Sequence, residues 1–177
     1  AIAPIFETKA HESAHQIVAI GNSHIDSAWL WPIERTQNKC IHTFSTVLNY
    51  MRKYPEYRFL ASQAVQYEWV KELAPELFER IRQEAQQGNW EVAGSMWVEA
   101  DCNITGGESL VRQVVYAKRF FLEEFGIETV DLWLPDVFGY CAALPQILKK
   151  AGVDYFLTQK ISWNQFNRFP HNSFMWK

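Results

Sequence analysis

Residues 131–158 read DLWLPDVFGYCAALPQILKKAGVDYFLT. Asp131–Leu134 is a short apolar run suited to a strand, and Tyr155–Thr158 is a second. Between them, Leu144–Ala151 suits a helix that Gly152 ends. A strand, a crossover helix and a strand in this order predict parallel pairing. Working outward, the alternation repeats. Gln16–Gly21, Tyr57–Ala61 and Trp90–Gly94 read as three earlier strands. Ser27–Lys53, Ser62–Leu73, Pro75–Gln87 and Gly107–Phe125 read as helices, with Pro75 at a first helical position and Gly126 at a C-cap. In the long helix Trp29, Ile33, Thr36, Cys40, Phe44, Val47 and Met51 recur at steps of three and four. The fold class predicted is α/β, a parallel sheet with covering helices, and such folds bind ligands at the C-terminal ends of their strands.

Those ends carry the chemistry. The first strand runs into Asn22-Ser23-His24-Ile25-Asp26. On extended backbone residues two apart share a side, so an imidazole and a carboxylate converge there. The fourth strand ends at Asp136, before Gly139. Each signal alone has a bland reading: a His–Asp hydrogen bond at a helix start, and an Asx-turn. Together, at one rim of a parallel sheet, His24, Asp26 and Asp136 form a nitrogen and oxygen donor set suited to a divalent ion such as Zn²⁺, with Co²⁺ also accepted. Glu99, Asp101 and Asn103 alternate after the third strand, and Lys160 follows the fifth. Trp29, Trp31, Phe138 and Trp163 lie among these polar groups, a mixture that suits a polyhydroxylated ligand, with Asp101 a candidate for its hydroxyls.

Composition removes other classes. The 177 residues are 48% hydrophobic and 21% charged, with a net charge of -3. There is no basic footprint for nucleic acid and no polybasic patch for a membrane surface. No apolar stretch approaches the about 20 residues that span a bilayer. Aromatic residues make up 15%, with eight Trp, mostly as expected for a large core. Cys40, Cys102 and Cys141 lack metal spacing and read as reduced thiols in a reducing compartment, which favours the cytoplasm. The first residues show no signal peptide, residues 1–15 read as a lead-in, and both ends read as cuts through a longer protein.

Four blocks resemble glycoside hydrolase family 38: GNSHIDSAWLWP at 21–32, WVEADCNITGGESLVRQ at 97–113, LWLPDVFGYCAALPQI at 132–147 and FLTQKISWNQFNRFPH at 156–171. Their wording is closest to the cytosolic and vacuolar α-mannosidases and their bacterial relatives. The resemblance implies a seven-stranded α/β barrel, of which this chain holds about the first five strands. It implies metal-assisted hydrolysis of terminal α-mannosyl residues with retention, in the breakdown of oligomannosides. His24 and Asp26 match two metal ligands, and Asp136 matches a residue that is both nucleophile and ligand. Trp29 and Phe138 match aromatics of the sugar subsite, and Lys160 a basic residue near the nucleophile. A second ligating His and the acid/base Asp of the family have no counterpart here, so the chain alone is expected to be inactive; a homo-oligomeric parent protein is compatible with the pattern. Ala100, Cys141 and Thr105-Gly106 depart from the family's usual Pro, Ser and Pro-Ser. Two alternatives stand beside this reading: a polysaccharide deacetylase, whose extra His pair only His11 and His15 resemble, before the first strand, and a sugar-binding fragment without catalysis.

Overall fold

A computed structural model describes Pro4 and residues 7–176. The expected lead-in of residues 1–15 therefore lies partly outside the described residues, and over 7–15 it forms turns only. The elements are β1 (Gly21–Asn22), α1 (Ile33–Lys53), β2 (Phe59–Gln63), α2 (Ala64–Leu73), α3 (Pro75–Gln86), β3 (Trp90–Met96), α4 (Gly107–Phe125), β4 (Asp131–Leu134), α5 (Leu144–Lys150), β5 (Tyr155–Thr158) and a 3₁₀ turn at Lys160–Trp163.

Every strand pairing is parallel. The order is β1-β2-β3 in one sheet and β4-β5 in a second. The two sheets meet along a polar seam rather than a backbone ladder. Ser95 Oγ donates to the Asp131 carbonyl at 2.8 Å and exchanges a 2.8 Å hydrogen bond with Thr129 Oγ1, while the Asp131 carboxylate accepts the Gly94 N–H at 2.9 Å. This places the C-terminal ends of all five strands on one rim.

The helices bury the faces that their periodicity predicts. On α1, Thr36, Cys40, Phe44, Val47, Leu48 and Met51 are buried. They pack with Phe59 and Ala61 of β2 and Trp90 and Val92 of β3, which share a face because they are two apart. Six aromatic residues, Phe44, Phe59, Tyr67, Phe78, Trp90 and Phe121, are buried in this core. Phe44, Phe59, Tyr67 and Phe121 surround Trp90 or one another in edge-on pairs, and Trp90 Nε1 donates to Tyr67 Oη at 2.8 Å so that neither polar tip is left unpaired. A second cluster, with Leu110, Val114, Leu132, Leu134, Leu144 and Leu148, lies under β4. Gly126 caps α4 with φ of 69°, where other residues are strained.

Two expectations need correction. The strand predicted over Gln16–Gly21 forms only at Gly21–Asn22, and Ile17, Val18 and Ile20 are exposed. An apolar run becomes a strand only where a neighbour pairs with it, and among the described residues nothing pairs with 16–20. The long helix begins at Ile33 rather than Ser27, because Pro32 stands at its N-cap and the six residues before it carry the site loop. Tyr155 and Leu157 of β5 are exposed, as expected of an outer strand.

Candidate metal and active site

Each of the five strand ends supplies a residue to one connected set of polar contacts. His24 follows β1, Gln63 ends β2, Glu99 follows β3, Asp136 follows β4 and Lys160 follows β5. His24 is the hub. Its Nε2 lies 3.2 Å from Asp26 Oδ1 and 3.4 Å from Asp136 Oδ2, and its Nδ1 lies 3.1 Å from Glu99 Oε2. Asp136 Oδ1 takes a 2.5 Å contact from the Lys160 ammonium, whose side chain is buried beneath the Trp163 ring, 3.2 Å from its centroid. Phe138 lies edge-on to Trp163 and presents its ring to Lys160.

A buried amide clamp holds the His24–Asp26 turn. Gln63 Nε2 and Gln66 Nε2 both donate to the Ile25 carbonyl at 2.8 Å. Gln63 Oε1 accepts Ser27 Oγ–H at 2.7 Å and the Glu99 N–H at 3.2 Å. Gln63, Gln66 and Ser27 are all buried, so these bonds are made in a low dielectric and none is exchanged for water. Trp31 Nε1 and Thr36 Oγ1 tie the far end of the loop to α1.

The donor set fits a divalent cation. Ligand atoms from His24, Asp26 and Asp136 lie within 4.8 Å of one another. Bond lengths of 2.0–2.2 Å in tetrahedral geometry place ligand atoms about 3.3–3.5 Å apart, close to the 3.2 and 3.4 Å found around Nε2. The charge pattern agrees. The Glu99 carboxylate beside Nδ1, helped by Asp26 and opposed by partial burial, pushes His24 up to about 9. Three carboxylates around one imidazole make this a place where positive charge would be stabilised.

Other residues singled out in the sequence fall as follows. Asp101 Oδ1 accepts the N–H groups of Asn103 at 2.9 Å and Ile104 at 2.7 Å, so it shapes its own loop. Trp29 and Phe138 are exposed. Cys40, Cys102 and Cys141 are free thiols, and burial pushes Cys40 and Cys102 up to about 12. His11 bonds Ser13, and neither His11 nor His15 belongs to the three-ligand cluster. Sequence reasoning missed Gln63, Gln66 and Ser62, and it gave Glu99 no role. The one available signal was a pair of glutamines three apart at a strand-to-helix junction.

The Glycosyl hydrolases family 38 N-terminal domain matches residues 14–177. The chain belongs to that family. It is 46% identical over 172 residues to Alpha-mannosidase G of Dictyostelium discoideum, covering 97% of this chain and 16% of that protein. It is 49% identical over 166 residues to human Alpha-mannosidase 2C1, covering 94% and 16%. The chain thus spans about 16% of the length of these curated relatives. Among solved structures, an alpha-mannosidase from Enterococcus faecalis V583 superposes with a TM-score of 0.71 at 23% identity, covering 78% of this chain and 16% of that one, a likeness of fold.

Proposed function

We propose that this chain is the N-terminal part of the catalytic domain of an α-mannosidase that hydrolyses terminal α-mannosyl residues with retention, in oligomannoside breakdown. The observation that carries the reading is the convergence of His24, Asp26 and Asp136, from two strand ends, around a single point. The naming of its relatives as α-mannosidases supports the substrate. In this reading the strands continue into a seven-stranded barrel, and a further His ligand and the general acid/base belong to the part of the relatives' length outside the match. The three free thiols support a cytoplasmic protein.

His24 Nε2, Asp26 and Asp136 would hold the ion, Zn²⁺ or Co²⁺. When bound, such an ion would supply positive charge beside the nucleophile and would help to hold the vicinal hydroxyls of mannose. Retaining glycosidases set two carboxyl groups about 5–5.5 Å apart, one to attack and one to protonate the leaving oxygen. Asp136 attacks the anomeric carbon as the glycosidic bond breaks, and water then releases the sugar from its carboxylate. Lys160 holds the Asp136 carboxylate in place at 2.5 Å. Trp29 and Phe138, both exposed, offer ring faces to the sugar, and Asp101 lines the same rim.

The test is covalent trapping in the full-length protein. A fluorinated α-mannoside that leaves a stable glycosyl-enzyme labels Asp136, and Asp136→Asn abolishes both label and turnover without rescue by added metal. Label on Glu99 or Asp101 would assign the nucleophile to the wrong strand end.

A further inference from the structure

We infer that Glu99 is a positioning residue for the metal site: it accepts the Nδ1–H of His24 and thereby keeps Nε2 as the ligating nitrogen. The inference rests on the reading of His24, Asp26 and Asp136 as ligands.

A neutral imidazole carries one proton on either nitrogen, and the group facing each nitrogen decides which. Around His24 the two sides differ. Nε2 faces Asp26 and Asp136, the other two members of the three-ligand cluster. Nδ1 faces Glu99 Oε2 alone, at 3.1 Å. Glu99 lies outside that cluster, so it bears on the site through the ring and not as a ligand.

Glu99 is held for this task. Its side chain is 8% exposed. Oε1 accepts Ser62 Oγ–H at 2.9 Å, and its main-chain N–H is fixed by Gln63. Oε2 is buried and has no completed hydrogen bond among the described residues. A buried carboxylate oxygen without a donor is costly. The only ring N–H set against it is that of Nδ1, and a small turn of the imidazole completes the bond. Ser62 in turn sits where it does because Gly94 has no side chain: a Cβ there would lie 2.7 Å from the Ser62 carbonyl oxygen and 3.0 Å from Ser62 Cβ. The line Gly94, Ser62, Glu99, His24 runs across three strands into the cluster. Carboxylate partners of this kind raise ligand basicity, and their loss typically weakens metal affinity about 10–100-fold.

The experiment uses metal-stripped full-length protein, with Zn²⁺ affinity read by competition against a chromogenic chelator and the coordination sphere read by the visible spectrum of the Co²⁺ form. Glu99→Ala should weaken Zn²⁺ binding by about 10–100-fold. Glu99→Gln, which keeps an acceptor oxygen without the charge, should recover part of that loss. Ser62→Ala, which touches only the far oxygen of Glu99, should weaken binding a few-fold. The Co²⁺ spectrum should keep the wild-type band intensities in all three, since no ligand is removed. Wild-type affinity in Glu99→Ala overturns the inference, or in both Glu99→Gln and Ser62→Ala where Glu99→Ala does not fold. A changed Co²⁺ spectrum in the Glu99 variants overturns it too, by making Glu99 a direct ligand. Wild-type protein that binds neither metal overturns the ligand reading itself, and this inference with it.

Discussion

Replacing Gln63 by Leu isolates the amide clamp, because the side chains are close in size and the change removes only polar atoms. Gln63 is buried at 4% exposure. Its loss takes away the acceptor for Ser27 Oγ–H and for the Glu99 N–H, and one of two donors to the Ile25 carbonyl. The Ile25 carbonyl keeps the 2.8 Å bond from Gln66. One or two donors are therefore orphaned, at about 1–3 kcal/mol each, which centres the loss near about 3 kcal/mol. Gln66→Leu is the matched control. It removes a second donor to Ile25 and a 3.3 Å bond to Ser27, but both keep Gln63, so its cost should stay at about 1 kcal/mol or less. Denaturant unfolding of metal-stripped protein, followed by Trp fluorescence, reads the difference. Equal losses in the two variants would refute the claim that the orphaned donors, rather than buried amide contacts in general, carry the energy.

Two further perturbations probe the seams of the sheet. Gly94→Ala should destabilise the fold by about 1–3 kcal/mol, since φ is 72° and the new methyl meets the Ser62 backbone; unchanged unfolding midpoints would show that this close approach is not required. Burial raises Asp131 above the usual 3.8, against the pull of the Gly94 N–H, so its folded state favours the proton. Stability from that proton is fully present below 3.8 and is lost as pH rises through the raised value. Asp131→Asn keeps an acceptor for Gly94 and removes the titration, so the unfolding midpoint of wild type relative to the variant should fall as pH rises above 3.8. A difference that rises with pH instead would show that the carboxylate is stabilised as an anion at the seam.

Local pattern settled much of this protein. Periodicity placed α4, β4 and β5 at the residues where they form, because a helix or a strand with a buried face writes its period into consecutive residues. Parallel alternation also located the rim, and His24 and Asp26 stand on it because they follow β1, Asp136 because it follows β4 and Lys160 because it follows β5. Tertiary structure decided the rest. Gln16–Ile20 has a strand's composition but no ladder among the described residues, since pairing depends on a distant partner and its register. Asp101 turns its carboxylate back into its own loop, while Glu99, two residues earlier, reaches His24. Gln63, Gln66 and Ser62 read as ordinary polar residues at a strand end. Their roles arise only because parallel pairing of β1, β2 and β3 brings three remote segments within hydrogen-bond reach, in a buried place where every donor needs an acceptor.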